Sequence, residues 1–143
     1  IVMDESRAHI LVLIKQKGPA FLLGKDNFPG GKLEEGEIPS SAAIREVLEE
    51  TNVRIAPDAI ALLKSKAENG NTLHTFVATV PFDELKRAQT METEPVRIST
   101  VKNALAHWAL HPDSAAPDVP VLVQYALNTL DNDVLNMPSP NQP

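Results

Sequence analysis

The feature that most constrains the fold is an amphipathic helix predicted over residues 41 to 51. Its apolar residues recur at helical spacing, at Ile44, Val47, Leu48 and Thr51. Ser40, which follows a proline, is the predicted N-cap. Since each residue advances by about 100° on a helix, Glu46, Glu49 and Glu50 share the opposite face. The helix is therefore expected to bury one side and to present three carboxylates on the other.

The glutamates on this face need a partner of opposite charge. Like charges at helical spacing repel and destabilise a helix, yet the chain places six glutamates between Glu34 and Glu50, directly behind Gly30 and Gly31. Hard oxygen ligands at this density suit Mg²⁺ or Mn²⁺, which also take water and substrate phosphates as ligands. A short Glu-rich helix taken alone more often forms a solvated surface, so the local pattern leaves both interpretations open.

A motif that extends beyond the helix distinguishes the metal site from the solvated surface. The chain follows the pattern G-x5-E-x7-R-E-U-x-E-E-x-G-U, where U is apolar, with Gly31, Glu37, Arg45, Glu46, Val47, Glu49, Glu50 and Val53. This pattern is the Nudix box, and the sequence resembles the Nudix hydrolase family over these 23 residues. One specified position departs, because Asn52 stands where the family has glycine. Asn is the usual second choice for the left-handed residue after a helix, so we expect the carboxylates to keep their places.

The resemblance implies an α+β fold, specifically an α/β/α sandwich with a mixed β-sheet flanked by helices. It also implies a hydrolase that uses Mg²⁺ or Mn²⁺ to cleave a nucleoside diphosphate linked to another group. The residues implied as metal ligands are Gly31, Glu46, Glu49 and Glu50, one of the glutamates also orienting the attacking water. Arg45 and Glu37 would support them as an ion pair. Glu94 is the candidate for a further ligand outside the box, with Glu92 as the alternative and a surface loop position as the competing interpretation.

The substrate is less strongly indicated. The segment from Asn27 to Glu37 is most similar to MutT-like nucleoside triphosphate pyrophosphohydrolases, and Asp118 stands where MutT has an Asn that reads oxidised guanine. Phe28 and Lys32 are candidate contacts to base and phosphate, although Asp118 could equally serve as a turn residue and Lys32 could be simply exposed. The alternatives are hydrolysis of ADP-ribose or of a dinucleoside polyphosphate, and a noncatalytic nucleotide-binding module.

The remaining elements follow from turn signals and periodicity. Strands are expected at residues 9 to 15 and 20 to 24 as one hairpin, and on either side of Asn69-Gly70 as another. A strand at 95 to 100, a short helix after it and a C-terminal helix from near Pro120 complete a single domain over residues 1 to 135. Residues 136 to 143 are polar and proline-rich, and we expect them to be disordered.

Composition limits the partners. The net charge of −6 argues against a general nucleic-acid or anionic-membrane surface, and the lack of cysteine excludes disulfides and thiolate metal sites. No apolar run reaches the roughly 20 residues of a membrane span, and no basic stretch typical of a secretory signal opens the chain. A cytoplasmic enzyme acting on a small nucleotide is therefore expected, and the family resemblance makes a homodimer plausible.

Overall fold

The computed structural model describes residues 1–135, so the predicted disordered tail at 136–143 lies outside the described residues. The strands are β1 (Val2–Asp4), β2 (His9–Ile14), β3 (Asp26–Asn27), β4 (Ile60–Glu68), β5 (Asn71–Val80) and β6 (Val96–Thr100). The helices are α1 (Pro39–Thr51), α2 (Phe82–Leu85), α3 (Val101–Leu110) and α4 (Val119–Leu135). Short 3₁₀ turns occupy Ala20–Leu22 and Pro112–Ser114.

The six strands form one mixed sheet. β1 pairs parallel with β5, and all the other strand pairs are antiparallel. β6 runs along one edge of β2 over its length, so β1 and β3 share the other edge, one after the other. β5 continues past the level of Val2, where β1 begins. Beyond that level β5 and β3 face each other without pairing, which leaves a gap in the sheet.

Helices cover both faces of the sheet because each strand alternates its side chains between two cores. One core joins Ile10 and Val12 of β2 to Trp108 of α3 and Val123 of α4. The other joins the intervening Leu11 to residues of α1, α2 and β6, including Val47, Leu85 and Ile98. The expected α/β/α sandwich is therefore confirmed, with α3 and α4 on one face and α1 and α2 on the other.

The predicted first hairpin is wrong in its second strand. The apolar run from Ala20 to Gly24 forms a 3₁₀ turn, and the partner of β2 is the short strand Asp26–Asn27. Phe21 and Leu23 are exposed and Leu22 packs against the core, so this apolar run does not form a core strand. The Asn69-Gly70 hairpin is confirmed, with both residues at positive φ as such a two-residue turn requires.

Helix α1 begins earlier than predicted and its start differs in detail. Ile38 is the N-cap and Pro39 is the first helical residue, so Ser40 lies inside the helix and does not cap it. Proline is well suited to that position because its missing N–H would have no partner there. At the other end Asn52 has φ 66° and ψ 9°, and its N–H donates to Leu48. The expected left-handed conformation after the helix is confirmed.

Candidate active site

Arg45 holds the carboxylates of the box in place. Its Nε and Nη2 donate to the two oxygens of Glu37 at 2.8 and 2.9 Å, the bidentate pairing expected from the sequence. Its Nη1 donates to Glu46 at 2.9 Å and Glu49 at 3.2 Å, and Nη2 also reaches the carbonyl of Lys32 at 3.1 Å. This guanidinium therefore joins the loop before α1 to two of the three α1 glutamates that are predicted metal ligands.

The contact with Arg45 shifts the pKa of Glu37. The hydrogen bonds from Arg45 lower the pKa of Glu37 to about 2, helped by the backbone N–H of Glu34 and opposed by partial burial. The same contacts raise the pKa of Arg45, with Glu37 as the main cause. The pair is therefore charged throughout the physiological pH range, as a fixed scaffold for the loop should be.

Glu50 lies where negative charge is concentrated. Its carboxylate accepts a hydrogen bond from the backbone N–H of Gly30 at 3.1 Å. Burial raises the pKa of Glu50 to about 7; the Gly30 bond opposes this, while the charges of Glu46, Glu92 and Glu94 add to it. The two candidate ligands outside the box thus lie close enough to Glu50 to interact with it. Glu94 is the more firmly placed, since it accepts from the backbone N–H of Gln16 at 3.0 Å.

Gly31 touches the carboxylate of Glu46. A Cβ added at Gly31 would lie 2.7 Å from Oε2 of Glu46 and closer still to its Oε1, whereas one added at Gly30 would meet nothing within 4 Å. Neither glycine has a left-handed backbone. The requirement for glycine at position 31 therefore comes from this close approach and not from its backbone conformation.

The donor set fits a hard divalent cation, although the side chains point to protein partners. In the part of the chain described, no group of three or more His, Asp or Glu side chains is arranged around a common metal position. Glu46 and Glu49 turn toward Arg45 and Glu50 turns toward Gly30. These glutamate oxygens, with their excess negative charge, nevertheless match what Mg²⁺ and Mn²⁺ prefer. Their assignment as ligands stays a prediction.

A cleft of about 960 Å³ opens at the gap between β3 and β5. Glu46 and Val47 of α1 line it at one end, together with Gly30 and Gly31. Other lining residues lie in β5, in or just after β3, and at or just before the start of α4, among them Asn27, Phe28, His74, Phe76, Asp118 and Leu122. Glu46 of the carboxylate cluster and the predicted substrate contacts therefore line one cavity.

The three predicted substrate residues differ in exposure. Phe28 is half-buried and packs against the core on the α3 and α4 side. Lys32 and Asp118 are exposed at the cleft, and the Asp118 carbonyl accepts from Leu122 at the start of α4. His74 also lines the cleft, and its Nδ1 is 2.8 Å from Oγ of Ser65. The roles of these residues toward a substrate stay predictions.

An ionic network centred on the buried carboxylate of Asp26 was not predicted from the sequence. Asp26 is 5% exposed, and its carboxylate accepts two hydrogen bonds from Arg97 at 2.7 and 2.6 Å and one from Nε1 of Trp108 at 2.8 Å. Burial alone would raise the pKa of Asp26, but these bonds lower it below its usual value. A charged residue, Arg97, within a predicted strand and a single Trp that needs a partner for its N–H were the available signals.

Fold and site together define a class of protein. A mixed sheet between two helical layers carries a glutamate-bearing helix at the mouth of a cleft of nucleotide size, the arrangement expected of a hydrolase that handles phosphate anhydrides. A NUDIX domain model matches residues 1–120. The chain belongs to the Nudix family, and a Nudix domain implies a hydrolase acting on pyrophosphate bonds.

Solved structures share this fold at low sequence identity. A MutT structure from work on Aliivibrio salmonicida and Vibrio cholerae is 19% identical with a TM-score of 0.65, covering 90% of this chain and 93% of its own. The NUDIX domain of Shewanella oneidensis NrtR, in complex with ADP ribose, is 18% identical with a TM-score of 0.69, at 90% and 82% coverage. The E. coli ORF135 protein is 19% identical with a TM-score of 0.61, at 92% and 87%.

Among residues 1–135, none of the helices has the length and apolar character needed to cross a membrane.

Proposed function

We propose that the chain is a Mg²⁺- or Mn²⁺-dependent pyrophosphohydrolase that converts a nucleoside triphosphate into a nucleoside monophosphate and pyrophosphate. Oxidised purine nucleotides such as 8-oxo-dGTP are candidate substrates. One observation carries the proposal: Glu46 belongs both to the carboxylate cluster and to the lining of the cleft that contains Phe28 and Asp118. A nucleotide whose base lies between Phe28 and Asp118 would direct its phosphates toward α1.

The reaction needs charge neutralisation, a nucleophile and alignment. Water adds to the α- or the β-phosphorus, and the bridging P–O bond of the α–β anhydride breaks. Nucleoside monophosphate and pyrophosphate result, with the water oxygen on the attacked phosphorus, while a glutamate of α1 accepts the proton of the water. A divalent ion held by Glu46, Glu49, Glu50, the Gly31 carbonyl and Glu94 would neutralise phosphate oxygens and lower the pKa of the water. Arg45 holds Glu46 and Glu49 in place relative to the loop before α1. Lys32 can balance negative charge on the phosphates.

A second candidate is hydrolysis of ADP-ribose or of a dinucleoside polyphosphate. The cleft lies at the upper end of the range of about 300–1,000 Å³ for small-molecule sites. It extends to Glu68, Asn69 and Asn71 at the turn between β4 and β5. This extension gives room for a second group beyond one nucleoside, and a Nudix domain of similar fold has been solved with ADP ribose.

A substrate panel tests the proposal. Rates and products are measured with 8-oxo-dGTP, dGTP, dCTP and ADP-ribose in Mg²⁺, in Mn²⁺ and in excess EDTA. We expect triphosphates to give monophosphate and pyrophosphate only when the metal is present. ADP-ribose as the best substrate would replace the first candidate with the second, and binding without hydrolysis of any compound would indicate a noncatalytic module.

Variants test the role of the cluster. Glu49→Gln and Glu50→Gln should each remove most activity while the protein stays folded. A neutral amide is a poor ligand for a divalent ion and cannot act as a general base. Glu35→Gln is the matched control, since Glu35 lies on the same segment, is exposed and occupies an unspecified box position. Full turnover by the double Gln variant would contradict the mechanism. The predicted homodimer can be checked on the same preparations by sedimentation.

A further inference from the structure

The ionic network at Asp26 lies at a junction between several parts of the cleft. Asp26 is the first residue of β3, two positions before Phe28. Its carbonyl accepts a hydrogen bond from the N–H of Ala116 at 3.0 Å, two positions before Asp118, and it forms a β-bridge with Ala115. One residue therefore carries direct bonds to the segments that bear both candidate base contacts.

The side chain of Asp26 anchors this junction to rigid elements. Arg97 lies on β6 and Trp108 on α3, and both donate to the same carboxylate. β3 itself has only two residues and two paired positions on β2, so the sheet alone holds it weakly. Ala115 and Ala116 lie in the connection between a 3₁₀ turn and α4, also outside regular pairing. The carboxylate adds bonds to β6 and α3 to the few backbone bonds of this junction.

We propose that Asp26 is a positioning residue that sets the spacing between the Phe28 wall and the Asp118 wall of the substrate cleft. It acts through the Arg97 and Trp108 bonds and touches no substrate, since its side chain is buried on the α3 face. The inference rests on the proposed function, because it assigns substrate binding to this cleft. The carboxylates of α1 lie on the opposite face of the sheet and have no bond to Asp26 among the described residues.

The test compares two buried carboxylates. Asp26→Asn keeps the shape but places an amide donor against donors. Trp108→Phe removes the Nε1–H donor and, because Trp108 is buried in the core, also leaves a cavity that lowers global stability. Asp4→Asn is the matched control, because Asp4 is 3% exposed, accepts from Ser6 and from the N–H of His9, and does not line the cleft. All three variants are first compared with the wild type by chemical unfolding.

Hydrogen exchange reports positioning independently of activity. In Asp26→Asn and Trp108→Phe, amide exchange should accelerate about tenfold in both residues 27–31 and 115–119, since both lose a common anchor. In Asp4→Asn these segments should exchange as in the wild type after correction for global stability. Acceleration in only one segment, or equal acceleration in the Asp4 variant, would overturn the proposal.

Kinetics then separate positioning from chemistry. With dGTP and Mg²⁺, KM of Asp26→Asn should rise about tenfold while kcat stays within about threefold, because the walls place the nucleoside and α1 performs the hydrolysis. A fall in kcat at unchanged KM would overturn the assignment. If the wild type hydrolyses no nucleotide, the proposed function fails, and the exchange comparison still decides whether Asp26 holds both segments.

Discussion

Substitution of Gly31 by alanine should inactivate the protein without unfolding it. The added Cβ would lie 2.7 Å from Oε2 of Glu46, against about 3.4 Å for ordinary contact. The carboxylate must therefore withdraw by at least about 0.7 Å, and the nearer Oε1 by more. Because Glu46 is the end of a flexible side chain, this movement costs little stability. It does displace a predicted metal ligand, and a misplacement near 1 Å can cost about 100-fold in rate.

Gly30→Ala provides the matched control. Its Cβ would meet nothing within 4 Å, and its N–H would still donate to Glu50. Both substitutions reduce the conformational freedom of the unfolded chain equally. This effect stabilises the folded protein by about 0.4–1 kcal/mol where alanine can adopt the native backbone conformation. The assay is kcat/KM for pyrophosphate release with Mg²⁺, together with unfolding midpoints. We expect a loss of about 100-fold for Gly31→Ala and less than about threefold for Gly30→Ala. Equal kinetics in the two variants would refute the reasoning.

Three further predictions concern the box and the cleft. Asn52→Gly should keep or raise the unfolding midpoint, while Asn52→Val should lose about 1–2 kcal/mol at the left-handed position; thermal melts showing Val as the more stable variant would contradict this. The pKa of Glu37 lies near 2 against an ordinary 4.5, so its contribution to stability is complete above pH 4.5 and is lost as pH falls toward 2. In urea titrations, the difference in the free energy of unfolding between wild type and Glu37→Gln should shrink over that pH range. If this difference does not change with pH, the ion pair is not the source of the stability that Glu37 contributes. Asp118→Ala should cost about 1–3 kcal/mol in kcat/KM for the preferred purine nucleotide and much less for dCTP, whereas an unchanged order of preference would remove Asp118 from base recognition.

The parts of the fold that the sequence predicted are those determined locally. Helix α1 and its glutamate face follow from spacing within about one dozen residues, and the Asn69-Gly70 turn specifies its own hairpin. The left-handed conformation of Asn52 likewise depends only on the end of its helix. The box residues were found because a fixed motif joins them, and the bidentate contact of Arg45 with Glu37 joins two positions of that motif.

The parts that escaped prediction depend on distant partners. β3 has two residues, too few for any periodicity, and it exists because β2 and the Ala115 segment hold it. The Asp26 network joins positions 26, 97 and 108, which no local pattern connects. The run from Ala20 to Gly24 was mistaken for a strand because it is apolar, but apolar residues such as Phe21 remain on the surface here. Helix α1 begins at Pro39 because a proline ring, which has no N–H, fits the first helical position.

The pairing of β2 with β6, which lie far apart in the chain, has a consequence for biosynthesis. β1 and β3 cover one edge of β2, and the other edge is covered only when β6 is present. A nascent chain that ends before Val96 therefore carries the apolar strand His9–Ile14 with one edge unpaired, a surface prone to self-association. Ribosome-bound or truncated chains of that length should need a chaperone to stay unaggregated, and the synthesis of β6 should end this requirement.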